Sequence, residues 1–222
     1  MKNMFSKTNL CWLLTIIGIF VIMSVAMQTG IINAYYQTTI YTIGINIILA
    51  VSLNLIIGVT GQFSLGHAGF MCIGAYAAAI VTKSNPTLMG LALGAIIGAA
   101  ISAVVALIVA IPTLRLKGDY LAIATLGFSE IVRIVVLNMT ITNGAAGISI
   151  REDEIASEAM GINTTKYKTI AFVIGAMIAA LAGALYACNF YVVKPDLFTW
   201  TKSVDILILV VFGGMGSFTG SV

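Results

Sequence analysis

Residues 88–111 read LMGLALGAIIGAAISAVVALIVAI, an unbroken apolar run without Asp, Glu, Lys or Arg. A helix needs about 20 apolar residues to cross the hydrocarbon core of a bilayer, and this stretch is long enough. Its apolar residues are continuous, so the two-residue alternation of a membrane-barrel strand is absent. Small residues recur at every fourth position, Gly90, Gly94, Gly98, Ser102, Ala106 and Ala110, and leave one helix face nearly bare. In lipid, where burial of apolar surface gives no drive between helices, a bare face lets backbones approach and pack. The stretch predicts a membrane helix with close neighbours.

The same pattern extends in both directions. No charged residue occurs between Lys7 and Lys83, and further uncharged stretches cover Ser84 to Leu114, Thr169 to Val193 and Ile206 to Val222. Of the 222 residues 60% are hydrophobic and 9% charged, against roughly 25% charged in a soluble domain. The runs predict spans at Leu10 to Ile32, Ile40 to Ile57, a third reaching Thr82, Leu88 to Ile111, Tyr120 to Thr140 and Thr169 to Tyr191. A last run from Ile206 dissolves into Gly213-Gly214-Met215-Gly216. The expected fold is all-α, a polytopic transmembrane helix bundle of about six or seven spans forming one domain over residues 1–222. Lys2 and Lys7 before Leu10, with Ser24-Val25-Ala26 beyond, also fit a signal peptide; in a chain apolar throughout, an uncleaved first span is the preferred reading.

The net charge of +3 is spread through loops, so it speaks of orientation and not of a nucleic-acid partner. Lys2 and Lys7, then Arg115 and Lys117, then Arg151, Lys166 and Lys168 form the basic clusters, which places all three, and the N-terminus, in the cytoplasm. Four spans join the first two clusters in agreement with that rule. One span alone, carrying Glu130 and Arg133, separates the second from the third, so either a span is missing or residues 120–140 do not cross. Glu130 and Arg133 lie one turn apart on the same helix face; they form an intramembrane pair or line an aqueous cavity.

Enzyme signatures are absent. There is no Gly-Lys dipeptide and hence no phosphate-binding Walker loop, so no catalytic residue and no cofactor is expected in this chain, and any ATP is used by a partner subunit. Cys11, Cys72 and Cys188 lack metal-ligand spacing and read as small hydrophobes, and a single histidine, His67, excludes His-pair zinc motifs; no metal is expected. His67 stands on a glycine-rich turn, as a hydrogen-bonded structural residue or in a proton or substrate role. Gly58, Gly61, Phe63 and Gly66 follow one apolar run as Gly213, Gly216, Phe218 and Gly220 follow another. Either these are the related loops of repeated halves, as many transporters contain, or a coincidence among 22 glycines. The candidate translocation-path residues are therefore Gly61, Gln62, Ser64, Gly66 and His67 with Gly213, Gly214, Gly216 and Ser217. Residues 151–168 concentrate charge, Arg151, Glu152, Asp153, Glu154, Glu158, Lys166 and Lys168, around a break at Gly161-Ile162-Asn163, which predicts a water-exposed helix, a turn and re-entry.

Four stretches in order carry a family resemblance: Gly61-Gln62-Phe63-Ser64-Leu65-Gly66-His67-Ala68-Gly69-Phe70 with Gly74-Ala75-Tyr76; Gly118-Asp119-Tyr120-Leu121-Ala122-Ile123-Ala124-Thr125-Leu126-Gly127-Phe128 with Glu130 and Arg133; Arg151-Glu152-Asp153-Glu154 through Gly161-Ile162-Asn163 to Lys168-Thr169-Ile170-Ala171-Phe172; and Gly213-Gly214-Met215-Gly216-Ser217. Over most of Leu53 to Val222 the chain resembles the LivM-type permeases of branched-chain amino-acid ABC importers. The resemblance implies a bacterial inner-membrane subunit that works with a second homologous permease, two cytoplasmic ATPase subunits and an extracytoplasmic solute-binding protein. It implies leucine, isoleucine and valine as cargo, with urea or another small amide as the alternative within the family. An ion-coupled secondary transporter and a non-transporting scaffold are the readings from other classes. By the same resemblance Glu154, Glu158, Ala159, Gly161 and Asn163 belong to a cytoplasmic coupling segment that seats on the ATPase. In the family a further span precedes the position of Arg151, where only Ser149 and Ile150 follow Ile148 here, and the family continues past Val222. An internally shortened chain is thus expected, at the place where the basic clusters disagree.

Overall fold

The computed structural model describes residues 33–60, 63–85, 87–113, 116, 119–139, 148–149, 164–190 and 192–216. Among the described residues six α-helices carry the fold: α1 (Ala34–Thr60), α2 (His67–Ser84), α3 (Leu88–Thr113), α4 (Asp119–Asn138), α5 (Thr164–Asn189) and α6 (Trp200–Gly213). Two short strands, β1 (Ile148–Ser149) and β2 (Val192–Val193), pair antiparallel, and a 3-10 turn, Pro195–Phe198, leads into α6. The chain divides into two compact units at Thr42 and Ile43; of the first, the described part is residues 33–42, the opening of α1. The expected first span, Leu10 to Ile32, and the charged insert up to residue 163 lie outside the described residues.

Helix ends follow local chemistry. Residues 33–39, which fall between the expected spans Leu10 to Ile32 and Ile40 to Ile57 as a polar, aromatic turn, are helical from Ala34 on, and Thr39 and Thr42 turn their hydroxyls back onto the carbonyls of Tyr35 (3.0 Å) and Thr38 (2.9 Å). The Thr87 hydroxyl accepts the Gly90 N–H at 3.1 Å, the N-cap bond that starts a helix. At the far end α3 passes through Pro112 to Thr113. A proline in the last turn forfeits one backbone bond, and the Thr113 hydroxyl adds one to the Val109 carbonyl at 2.7 Å. α6 stops at Gly213, with Gly214 at φ 93° and Gly216 at φ 85°, a backbone that glycine adopts without cost.

α2 is the centre of the bundle, packed chiefly against α3 and α5, which also meet each other. The contact is made through missing side chains. A Cβ on Gly74 would stand 1.9 Å from the Ala180 carbonyl oxygen, one on Gly183 2.0 Å from that of Met71, and one on Gly98 3.0 Å from the Gly74 Cα. On α3 and α5 the small-residue stripes face inward: Ala106, Ala110, Ala179 and Ala187 are fully buried, and the Ser102 hydroxyl donates across the interface to the Ala176 carbonyl at 2.9 Å. Phe70 fills the adjoining layer, its ring 5.3 Å from Phe128 and 5.5 Å from Phe172. Phe198 of the 3-10 turn sits between the rings of Tyr76 and Tyr186, and the Tyr76 hydroxyl donates to the Val193 carbonyl at 3.0 Å, which fastens the second loop to α2.

The outer faces are as apolar as the core. Ile96, Val104, Ile108 and Ile111 of α3, Ile123 and Ile131 of α4 and Phe212 of α6 are all exposed. Water does not tolerate such a surface on a folded monomer; a bilayer does. Tyr35–Gly58, Met89–Thr113, Tyr120–Asn138 and Thr169–Asn189 are long and apolar enough to cross a membrane, so a polytopic helical bundle stands, with α4 among the four despite Glu130 and Arg133.

Gly74→Leu will drive a side chain into the α5 backbone, and overpacking of this kind costs about 1–3 kcal/mol or more. The expected result is a large loss of folded protein in membranes and a lowered midpoint in a detergent thermal melt, whereas Gly44→Ala, with nothing within 4 Å of the added methyl, will leave both unchanged.

Candidate functional site

The glycine turns and the polar residues inside the spans converge on one seam. Ser52 and Asn54 are fully buried on α1, and buried polar groups are costly unless bonded. The Ser52 hydroxyl donates to the Leu49 carbonyl at 2.9 Å and its oxygen meets Nε2 of His67, the first residue of α2. The other ring nitrogen, Nδ1, is buried and has no hydrogen-bond partner among the described residues. Asn54 Oδ1 accepts the Gly216 N–H at 2.8 Å, and a Cβ on Gly58 would lie 3.0 Å from the Gly216 Cα. The C-terminal end of α1 and the turn after α6 therefore touch.

The segment entering α2 is held by α4 and α6. Leu65 N–H donates to the Thr125 hydroxyl at 3.0 Å, and the Gly66 and Gly69 positions face Thr125 and Ser129 at distances of 2.8 and 3.0 Å for an added Cβ. A side chain is crowded out at both positions because the loop at Gly66 and the first turn of α2 at Gly69 lie directly on α4. The Ala68 N–H donates to the fully buried Ser203 hydroxyl at 3.0 Å, which satisfies one of the unbonded donors at the start of α2.

Three charges tie α4 to the start of α6. Glu130 Oε2 accepts from Arg133 Nε at 2.8 Å, Glu130 Oε1 accepts the Trp200 N–H at 3.0 Å, and Arg133 Nη1 lies 3.7 Å from Asp196 Oδ1. Glu130 thus neutralises Arg133 and caps the positive end of α6 at once. Lys202, one turn into α6, donates from Nζ to Asn46 Oδ1 at 2.9 Å.

Of the residues singled out from sequence, Ser64, Gly66 and His67 lie in this seam together with Gly216. Gly213 and Gly214 form the end of α6 beside it. Gly61, Gln62 and Ser217 lie outside the described residues, as do Glu154, Glu158, Ala159, Gly161 and Asn163 of the expected coupling segment. Sequence reasoning passed over Asn46, Ser52, Asn54, Thr125, Lys202 and Ser203. Asn46 and Asn54, eight residues apart and so on one broad face of an otherwise apolar helix, were the available signal.

Asn54→Leu will remove the buried oxygen that accepts the Gly216 N–H, at a cost of about 0.5–1.5 kcal/mol. A detergent thermal melt should show the drop, and the exposed Ser84→Ala should not.

Two kinds of relative bear on this arrangement. A family described as the permease component of the branched-chain amino acid transport system matches residues 35–149 and 142–222. The chain is 31% identical to the high-affinity branched-chain amino acid transport system permease protein LivM of Salmonella typhimurium over 277 aligned positions, with 93% of this chain and 64% of that protein covered. It is 30% identical to LivM of Escherichia coli, covering 86% of this chain and 60% of the relative. No solved structure matches the chain. The chain thus spans less than two thirds of the length of these relatives. An alignment of 277 positions is longer than the 222 residues available, so the relative carries internal residues with no counterpart here, and the two family segments overlap at 142–149, close to Ile148 and Arg151, between which the resemblance implies a further span.

Proposed function

This chain belongs to the family of branched-chain amino acid transport permeases, and from that premise we propose that it is a membrane subunit of an ATP-driven importer that moves leucine, isoleucine and valine into a bacterial cell. The observation that carries the proposal is the family match running through both segments from residue 35 to 222, over helices that make it a multi-pass membrane protein. The remaining parts follow as one proposal. The protein sits in the cytoplasmic membrane with its N-terminus inside, pairs with a second permease, receives solute from an extracytoplasmic binding protein and is driven by two cytoplasmic ATPase subunits. It holds no ATPase site and needs no cofactor of its own. The seam at Ser64, Gly66, His67 and Gly216 lies on the solute path, joined by Gly61, Gln62, Gly213, Gly214 and Ser217, and Glu154, Glu158, Ala159, Gly161 and Asn163 form the contact with the ATPase.

Physical chemistry supports the main reading over ion-coupled transport. Proton relays and many cation paths in secondary transporters use an acidic group inside the membrane that is free to exchange a cation. Glu130 is the mid-span carboxylate, and Arg133 and the Trp200 N–H occupy both of its oxygens. A neutral small amide as cargo remains the alternative within the family.

Labelled-leucine uptake into vesicles carrying this chain and its partner subunits tests the proposal: accumulation that requires ATP is expected, and accumulation driven by an ion gradient without ATP would overturn it. Gly161→Trp is expected to preserve ATP hydrolysis while abolishing coupled uptake, because a rigid lever transmits motion only through a defined hinge; equal loss of both rates would remove the coupling role. Gly216→Leu, forced onto φ 85°, is expected to abolish uptake with membrane insertion intact, and normal uptake would take that turn off the path.

A further inference from the structure

Lys202 is placed where an ammonium group is poorly balanced. It lies in the first turn of α6, where the positive end of the helix disfavours a cation, and it is half-buried. Its Nζ reaches Asn46, which stands at the middle of the apolar stretch Tyr35–Gly58, the depth at which a membrane helix is farthest from water. Charged side chains at that depth are expensive and are paired or functional. The two charges within the candidate spans are provided for: Glu130 and Arg133 hold each other, and Arg133 also faces Asp196. Among the described residues no carboxylate lies within ion-pairing distance of Lys202. Asp205, one turn further on, is exposed, and both oxygens of Glu130 are committed to other donors. The Asn46 amide takes one of the three protons of the ammonium and none of its charge.

We propose that Lys202, positioned by Asn46, binds the carboxylate of the solute as it passes the middle of the bundle. This rests on the permease reading above and narrows it. An amino acid presents an anionic group that an ammonium can pair with, while urea or another neutral amide offers a carbonyl dipole alone, so a lysine here selects the amino-acid class of cargo. Asn46 orients the ammonium and leaves two N–H bonds for the carboxylate.

The assembled importer, with its binding protein, supplies the test through initial rates of ATP-dependent uptake per complex. Lys202→Gln keeps a donor for Asn46 and removes the charge. It is expected to assemble normally and to lower the maximal rate about tenfold to a hundredfold, the size of a lost charge-assisted hydrogen bond. The KM, set by the loaded binding protein, should not move. Lys202→Arg should recover most of the rate, and Asn46→Asp, which supplies a competing carboxylate, should depress it as Lys202→Gln does. Wild-type rates in Lys202→Gln, or an equal loss in Lys202→Arg, would overturn this inference alone. Absence of ATP-dependent leucine uptake by the unsubstituted protein would overturn the permease reading and this inference with it.

Discussion

At Gly74 three helices come together with no room for a methyl group. The Cα hydrogens of α2 lie against the backbone of α5 on one side and against Gly98 of α3 on the other. Lipid tails are as apolar as leucine, so nothing squeezes these helices together as water would; dispersion contacts between closely approaching backbones must do it. Side chains between the axes would hold them apart and weaken that attraction. The small-residue stripes on α3 and α5 and the glycines of α2 are one device, and the position of every other element follows from it.

With α2 fixed, its first turn becomes a hub for polar groups. The N-terminus of a helix brings unbonded N–H groups into the bundle, and here one is taken by Ser203 of α6 while His67 reaches Ser52 of α1. The loop before it lies on α4 through Thr125. Each of these bonds joins two different helices, so the hydroxyls and amides that look like impurities in apolar runs are what set the register of the spans. Gly58, near the C-terminal end of α1, meets the turn at Gly216, which Asn54 of the same helix holds in place. The missing side chain at Gly58 is what lets the Gly216 backbone approach.

The shortening relative to LivM falls in a part of the chain where the described structure is a two-residue pairing, Ile148 with Val193 and Ser149 with Val192. That pairing brings the residues after α4 to the loop after α5, and the loop is itself tied to α2 by Tyr76 and Phe198. The α2–α3–α5 core is built from contacts on either side of the missing residues and does not use them. A bundle can be shortened at its periphery and keep its centre, because each interface depends on its own close approach.

The residues alone determined the solvent, the fold class and the packing mode. Long uncharged runs have a single home in a bilayer, and a four-residue period of Gly, Ser and Ala states that helices touch closely, without stating which ones. The family was legible from four short stretches in order, and the disagreement of the basic clusters fell in the part of the chain where the two family segments meet. The extension of α1 through residues 34–39 was not legible, since threonine hydroxyls serve a turn and a helix interior equally well until the carbonyls they bond to are placed. Glu130 and Arg133 were legible as a pair by their spacing, but that Glu130 also caps α6 could be decided only in three dimensions, seventy positions of chain away. The same holds for Lys202 and Asn46, and for Asn54 and Gly216. Sequence spacing fixes which side chains share a face of one helix; which faces meet is decided by the depth and rotation at which separate helices settle, and those are properties of the packed bundle.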